Sequence, residues 1–531
     1  MAPHRSRARR SIIWCVSTEG GEPSAPSPLR FLLDTNAFIA MEPYDGFLED
    51  ELDAATTVMR LAQKQGHLLL VHPATRDELG GGANKPRTAQ RLAELAKFTM
   101  VSESPIAVSL REAAGDSAAD TNDHRDLRIL AGLHANAAHF LISNDAGLRR
   151  RAVRAGIGDR VLTLADAAAM LVDLEPGIAK QPPRVERIDA YALDLDQEVF
   201  DDLRADYADF TTWIGKVRAD SENRACFVIR EVDGTYAAVA LVKLVETECV
   251  YGFSAPVSKI STFKVSSRRA GNRYGELLLK AVFLAHHANG TSSTYVEVFP
   301  KHERLVDFLK LFGFLKQEEL TSRDELVCVK SYKPASDAEP TMSSFDFHVR
   351  YGPPAIMRGT STFVIPIVPR WHSQLFPDVA EEIVLDDQLP FPNFVGATTR
   401  PWGNAIRKAY LCNAPTNQMK SGDTVLFYRS HGAASVTAVG VIEDTFRSYS
   451  SDQILNAVAG RTVYSREAVG ELCNHPSGVL VVLFRQDRLL DPSWSIGELV
   501  ANSVLKGPPQ TVTRVKERGN AWVNSQLVDL R

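Results

Sequence analysis

The stretch LLDTNAFI, Leu32–Ile39, is a short apolar run that stops at an aspartate followed by two small polar residues. Apolar runs of this length between turn signals read as buried strands. An acid just past such a run stands at the carboxyl end of the strand, where open parallel sheets bind their ligands. Three further acids take comparable positions. Glu78, in HPATRDEL (72–79), follows the run HLLLV (67–71) and a His-Pro turn. Asp126 begins the helical pattern DLRILAGLHANA (126–137), and Asp145, in LISNDAGL (141–148), ends the next apolar run. One helix and one strand fit between these two acids and return the chain to the same sheet edge.

Around these acids, the strand-like runs Phe31–Leu33, His67–Val71, His139–Ser143 and Arg160–Leu162 alternate with helical patterns at Ala89–Phe98 and Asp126–Ala138. Alternation of this kind predicts an α/β layer fold on a parallel sheet. Taken singly, Asp34 and Asp126 suit helix N-caps, and Glu78 and Asp145 suit solvated positions. Taken together, four carboxylates at one edge repel one another unless a cation neutralises them. Mg²⁺ or Mn²⁺, which take oxygen ligands, fit that need. The basic run Arg149, Arg150, Arg151 and Arg154 follows the last acid and suits either a phosphate backbone or a solvated helix face.

In LLDTNAFI, RDEL and DLRILAGLHANAAHFLISND this block, residues 29–175, resembles a PIN-domain ribonuclease. The resemblance implies a three-layer α/β/α fold with four catalytic metal ligands, Asp34, Glu78, Asp126 and Asp145. It implies supporting roles for Asn36 and Ser143, and offers Asp123 as an outer or substitute ligand. The implied chemistry is attack of a metal-activated water on an RNA phosphodiester.

The whole chain has 531 residues, which predicts two to four domains. A net charge of −5 leaves nucleic-acid binding to local basic patches. The six cysteines (Cys15, Cys226, Cys249, Cys328, Cys412 and Cys473) form no CxxC pair and read as thiols of a reducing compartment. No apolar run reaches the ~20 residues of a membrane helix. The basic, Ser/Pro-rich residues 1–28 read as a disordered tail, so the chain is expected to be cytoplasmic and away from membranes. EPGIAKQPPR (175–184) and ASDAEPTMSS (335–344) read as linkers.

Between them, residues 185–334 open with strand patterns at Ala225–Glu231, Tyr236–Glu246 and Ile260–Val265. A helix at Gly275–His287, a strand at Thr294–Val298 and a helix at Glu303–Phe312 follow. A basic loop opens the first helix, where backbone N–H groups suit a pyrophosphate. The succession RRAGNRYGELLL, TYVEVFP and LFGF resembles a GNAT N-acetyltransferase with a mixed α/β sheet. That resemblance implies acetyl-CoA binding at Arg268, Arg269, Gly271, Asn272, Arg273, Tyr274 and Gly275. Only Gly275 matches the final glycine of the family's Q/R-x-x-G-x-G/A loop; Arg273 and Ala270 replace its middle glycine and first residue. Leu309 stands where many members carry an acid tyrosine. Glu246, Glu248 and Glu297 remain as candidate bases. An active enzyme, an acyl-CoA sensor and a scaffold are the three readings.

Residues 345–531 read mostly as short strands and resemble a PUA-like β-barrel of the EVE/ASCH kind, through KAYLCNAPTNQMKSGDTVLFYRS (408–430). Tyr428 and Arg429, beside Phe427 and His431, and later Lys506 and Arg514, are the expected RNA contacts. Strand aromatics are also ordinary core. The expectation for the whole is an α/β multidomain, metal-dependent endoribonuclease with a GNAT-like domain for acetyl-CoA or support and a C-terminal RNA reader. An antitoxin or regulatory protein is a further expected partner. The alternative is an N-acetyltransferase acting on an RNA-bound or protein amine, with the other two domains as binding modules.

Overall fold

The structure is a computed structural model that describes residues 28–41, 52–82, 84–119, 121–173, 184–231, 233–266, 273–334, 341–379, 405–430, 434–458 and 461–528. Three sheets draw their strands from three successive stretches of chain. The first holds β1 (Arg30–Leu33), β2 (Leu68–Val71), β3 (Thr99–Met100), β4 (Phe140–Ile142) and β5 (Val161–Leu162), all parallel, in the order β3-β2-β1-β4-β5. Its helices are α1 (Thr35–Met41), α2 (Leu52–Lys64), α3 (Pro73–Gly80), α4 (Lys85–Leu95), α5 (Val108–Ala114), α6 (Asn122–His134), α7 (Ala146–Arg154) and α8 (Leu164–Asp173). Alternate residues of β1 serve opposite faces. Phe31 and Leu33 pack with Phe38, Leu61 and Leu171, whereas Leu32 packs with Leu127, Leu130 and Leu148. The result is a three-layer α/β/α unit. The strand order reverses between β1 and β4, and Asp34 and Asp145 follow those two strands. This is the crevice where an open sheet places its ligand.

The second sheet holds β6 (Val185–Ile188), β7 (Arg224–Arg230), β8 (Tyr236–Lys243), β9 (Val257–Val265), β10 (Ser293–Val298), β11 (Leu315–Leu320) and β12 (Leu326–Ser331), in the order β11-β12-β10-β9-β8-β7-β6. Its helices are α9 (Asp201–Asp206), α10 (Phe210–Ala219), α11 (Tyr274–Ala288) and α12 (Glu303–Leu311). Only β9 and β10 run parallel, joined by α11 as the crossover. Their pairing covers Ser293–Val257, Thr294–Ser258 and Tyr295–Lys259 and then stops, so the two strands fork beyond that point. α11 is buried on most of its surface, through Leu277, Leu278, Val282, Phe283 and even Lys280, as a helix must be when apolar nearly all round.

The third sheet holds β13 (Thr362–Ile367), β14 (Arg407–Cys412), β15 (Thr424–Arg429), β16 (Ser435–Ser448), β17 (Val479–Ser495) and β18 (Thr513–Arg514), in the order β14-β17-β16-β15-β13-β18. α13 (Ser344–Tyr351) and α14 (Pro369–Leu375) lie before and after β13. The expected closed barrel is not formed. Among the described residues the edge strands β14 and β18 do not pair with each other, and β18 touches β13 only at Phe363 and Val364. Register shifts at three places bend β16 against β17, so this open sheet serves two separate cores.

No helix among the described residues is long and apolar enough to cross a membrane. Five of the cysteines are free thiols; Cys15 lies outside the described residues.

Candidate functional sites

Asp34 is 4% exposed at the end of β1. Its Oδ1 accepts the Thr35 amide at 2.8 Å and its Oδ2 accepts the Ser143 hydroxyl at 2.7 Å. Ser143 in turn accepts the Asp145 amide at 3.1 Å, and Asp145 Oδ1 caps α7 by accepting the Leu148 amide at 2.6 Å. The Thr35 hydroxyl donates to Glu78 Oε2 at 2.6 Å. Burial pushes the Asp34 carboxyl up to about 6, helped by the charges of Glu78 and Asp145 and opposed by its two hydrogen bonds. Asp126 rises to about 7 through burial and the charges of Asp34 and Asp145, against Arg151. Asp34 therefore lies within electrostatic reach of each of the other three acids.

The local details differ from the sequence expectation. α6 begins at Asn122, capped by Thr121, whose hydroxyl accepts the His124 amide at 3.1 Å. Asp126 thus sits in the second turn instead of opening the helix, and it faces Asp34 from there. Asp123 is ion-paired with Arg151, a structural partner that satisfies it without a metal. Asn36 is exposed. The residue that orients two of the acids is Thr35, one position earlier. Among the described residues, no three His, Cys, Asp or Glu side chains form a group that could hold a metal ion. The oxygens of Asp34, one of Asp145 and one of Glu78 are turned to hydrogen-bond donors of the protein instead. The residues therefore do not present a ready ligand set for Mg²⁺ or Mn²⁺.

A cavity of 1940 Å³ opens at the fork of β9 and β10. Glu297 stands at the mouth of the fork, two residues beyond the last β9–β10 pair. Its Oε1 accepts the Tyr251 hydroxyl at 2.7 Å and its Oε2 accepts Lys259 Nζ at 2.5 Å. Tyr251 packs on Phe253 and Tyr295. Burial and the bond to Glu297 push the Tyr251 phenol up, so it holds its proton. Also on the cavity wall, the Tyr207 hydroxyl donates to Glu325 Oε1 at 2.8 Å. Glu246 also borders this space; burial would raise it, but the Glu248 amide and Lys243 hold it below the usual carboxylate range. Sequence reasoning found Glu297 and Glu246 but missed Tyr251 and Tyr207, which lie outside every motif.

At the start of α11, Arg273 adopts a left-handed conformation with φ 55°. Its Nε donates to Glu276 Oε1 at 3.0 Å, so its charge is spent on an acid in the first helical turn. Tyr274 is buried in the core. A Cβ at Gly275 would meet Phe308 Cζ at 3.2 Å, so this glycine lets α11 approach α12 closely. Arg268, Arg269, Gly271 and Asn272 lie outside the described residues. Leu309 is core. The α11 N-terminus still borders the cavity through Arg273, Tyr274, Gly275 and Glu276.

In the third unit, Tyr428 is 2% exposed and packs among Val364, Leu426, Val436 and Leu505. It cannot stack on a base. Phe427 is core in the opposite layer, and Lys408, fully buried, donates to the Leu375 carbonyl. His431 lies outside the described residues. Arg429 is half-buried, while Lys506 and Arg514 are exposed, Arg514 donating to Ser361 Oγ at 3.1 Å.

The chain matches no protein-family model and no curated protein. Among solved structures it is similar to ASCH from Zymomonas mobilis, at 11% identity over 31% of this chain and 94% of that one, with a TM-score of 0.22. It is also similar to an acetyltransferase from Streptococcus agalactiae 2603, at 13% identity over 29% of this chain and 99% of that one, TM-score 0.24. A GNAT-family acetyltransferase from Staphylococcus aureus MU50 matches at 10% identity over 28% and 99% of the two chains, TM-score 0.24.

Proposed function

We propose that the protein is an acyltransferase that moves an acyl group from an acyl-CoA thioester to an amine. The observation that carries this reading is the fork of β9 and β10, with Glu297 held between Tyr251 and Lys259 at its mouth. Past Lys259, β9 has no β10 partner, so its backbone groups on that side are available to a thioester laid along the fork. The α11 N-terminus, on the wall of the same cavity, suits the phosphates of the donor.

The chemistry follows from the groups in place. The amine nitrogen attacks the thioester carbonyl carbon, and Glu297 accepts the proton that the nitrogen loses. The C–S bond then breaks, and the Tyr251 hydroxyl gives its proton to the departing sulfur. Glu297 returns a proton to Tyr251 through their 2.7 Å hydrogen bond, which restores both groups. Lys259 keeps the Glu297 carboxylate oriented. The test is thiol release by the full chain with acetyl-CoA and an amine such as a lysine peptide or a polyamine. Absence of acetyl-CoA binding at millimolar concentration sinks the reading.

A second reading, phosphodiester cleavage at Asp34, Glu78, Asp126 and Asp145, has one observation in its favour. Burial, reinforced by the charges of neighbouring acids, raises Asp34 and Asp126, and a bound divalent cation would relieve both effects. Incubation of mixed RNAs with Mn²⁺ tests it, beside Asp34→Asn and Asp145→Asn. Equal cleavage by both variants removes it. In either reading Lys506 and Arg514 are the exposed third-unit cations offered to RNA.

A further inference from the structure

The cavity at the fork is not walled by the second unit alone. Arg149, Arg150 and Arg154 of α7 line it from the first unit, and Arg407 and Arg461 line it from the third. Its wall is rich in cations, but most are already neutralised. Among the described residues, every lysine and arginine on the wall other than Arg149, Arg154 and Arg304 is ion-paired. Arg154 is occupied by the Ala114 carbonyl at 2.7 Å. Arg149 uses only its Nε, donated to the Asp145 carbonyl at 3.3 Å, and its two terminal nitrogens remain for a ligand. Arg304, in the first turn of α12, is exposed to the same cavity.

Two arginines from different units thus face one space without an acid of their own. Burial and then the charge of Arg304 lower the pKa of Arg149, while Asp166, Asp145 and Asp307 only partly offset this. Like charges brought together across an interface define a place for an anion. A guanidinium binds phosphate oxygens in bidentate fashion, which an ammonium cannot do.

We propose that Arg149 of the first unit and Arg304 of the second together hold the phosphate-bearing nucleotide end of the acyl donor, across the boundary between the two units. This rests on the acyltransferase reading and adds to it. The donor is bound by two units, and its arrival reaches the residue that follows the acid crevice, since Arg149 is bonded to the backbone of Asp145.

Calorimetry on the full chain tests this with two probes: acetyl-CoA, and S-acetylpantetheine, which lacks the nucleotide and its phosphates. Arg149→Gln and Arg304→Gln are each expected to raise the Kd for acetyl-CoA about tenfold, or about 1.4 kcal/mol. S-acetylpantetheine turnover is expected to be unchanged in both, and Arg304→Lys is expected to recover part of the loss. An unchanged Kd for acetyl-CoA in both variants overturns the proposal and leaves the acyltransferase intact. Equal losses with both probes also overturn it, because they report a structural role. Weaker binding of a single-stranded oligoribonucleotide, with acetyl-CoA unaffected, overturns it in favour of a phosphodiester strand. Failure of the unsubstituted protein to bind either probe instead removes the acyltransferase reading itself.

Discussion

Asp34→Asn isolates the electrostatic cost stored at the end of β1. The carboxyl is raised from its ordinary 3.8 to about 6, chiefly by burial. A shift of that size corresponds to about 3 kcal/mol against folding once the group is charged in both the folded and unfolded chain. The sign follows from the two pKa values. Below 3.8 the group is protonated in both states and costs nothing. As pH rises through 6 the folded state must carry a buried charge, and that part of the stability is lost. Asparagine keeps an oxygen for the Thr35 amide, and its amide can donate to the Ser143 hydroxyl in place of accepting from it, so the hydrogen bonds survive the exchange. In EDTA at pH 8 the variant is therefore expected to be more stable locally by about 2 kcal/mol. The advantage should fall to about zero below pH 4. Hydrogen exchange on peptides spanning β1 and β4 is the appropriate measurement, because a chain with three sheets need not unfold in one step. Equal or poorer protection of the variant at pH 8 would refute the reasoning.

Glu297→Gln removes the proposed base and is expected to lower kcat for acyl transfer at least ~100-fold, with the Kd for acetyl-CoA unchanged; an unaltered kcat in steady-state assays rules Glu297 out. Gly313→Ala forces a side chain onto φ 83° with its Cβ 2.0 Å from the Val349 carbonyl. It should cost about 3 kcal/mol or more and lower the melting temperature visibly. Tyr428→Phe should leave RNA affinity unchanged, because the ring is core, whereas Tyr428→Ala should cost about 3–5 kcal/mol in denaturant titrations. If the third unit binds RNA, Arg514→Gln or Lys506→Gln should each reduce the slope of log affinity against log salt by about 1. Mn²⁺ should raise the melting temperature of the unsubstituted chain at pH 8 but not that of Asp34→Asn, if the acids take a cation; equal shifts count against a site there.

Four of the first sheet's five strands were legible because apolar runs of three to five residues in a parallel sheet leave little else to be; the two-residue β3 was too short to read. Finer placement was not legible. Whether Asp126 opens α6 depends on whether Thr121 caps better, and both residues are good caps. Choosing Thr35 over Asn36 as the orienting residue requires knowing which side of α1 faces the crevice. Tyr428 misled for a different reason. The third sheet is covered on both faces, so inward and outward residues are equally buried and alternation carries no information. Tyr251 and Tyr207 left no local trace at all: their carboxylate partners are 46 and 118 positions away. The closed barrel failed because the bulges that bend β16 and β17 are tertiary features with no composition of their own.

The junction of the three units explains why the cavity has walls from all of them. Arg407 of β14 reaches Asp159 of the first unit at 3.2 and 3.3 Å and Glu443 of β16 at 3.4 Å. Its backbone amide donates to Glu276 of α11 at 3.1 Å. Arg461 bridges the same two acids, Asp159 and Glu443, and Arg485 donates to the Leu311 carbonyl of α12 at 2.7 Å. Burial alone would lower Arg407, yet the charges of Asp159, Glu443 and Glu276 hold it above its ordinary value. Arg485, pressed by burial and by Arg407, falls to about 10. Such buried pairs contribute little net stability, but losing one partner leaves a buried charge unmatched, which costs about 3–5 kcal/mol. Asp159, Glu276 and Arg407 come from three different units, so these contacts join all three. The same contacts bear on chemistry. An acid in the first turn of α11 would by itself repel a phosphate at the helix N-terminus. Arg273 and the Arg407 amide occupy both oxygens of Glu276 and quench that repulsion. The third unit therefore helps to make the second unit's helix terminus usable by an anion, while the first unit supplies Arg149 to the wall of the same cavity.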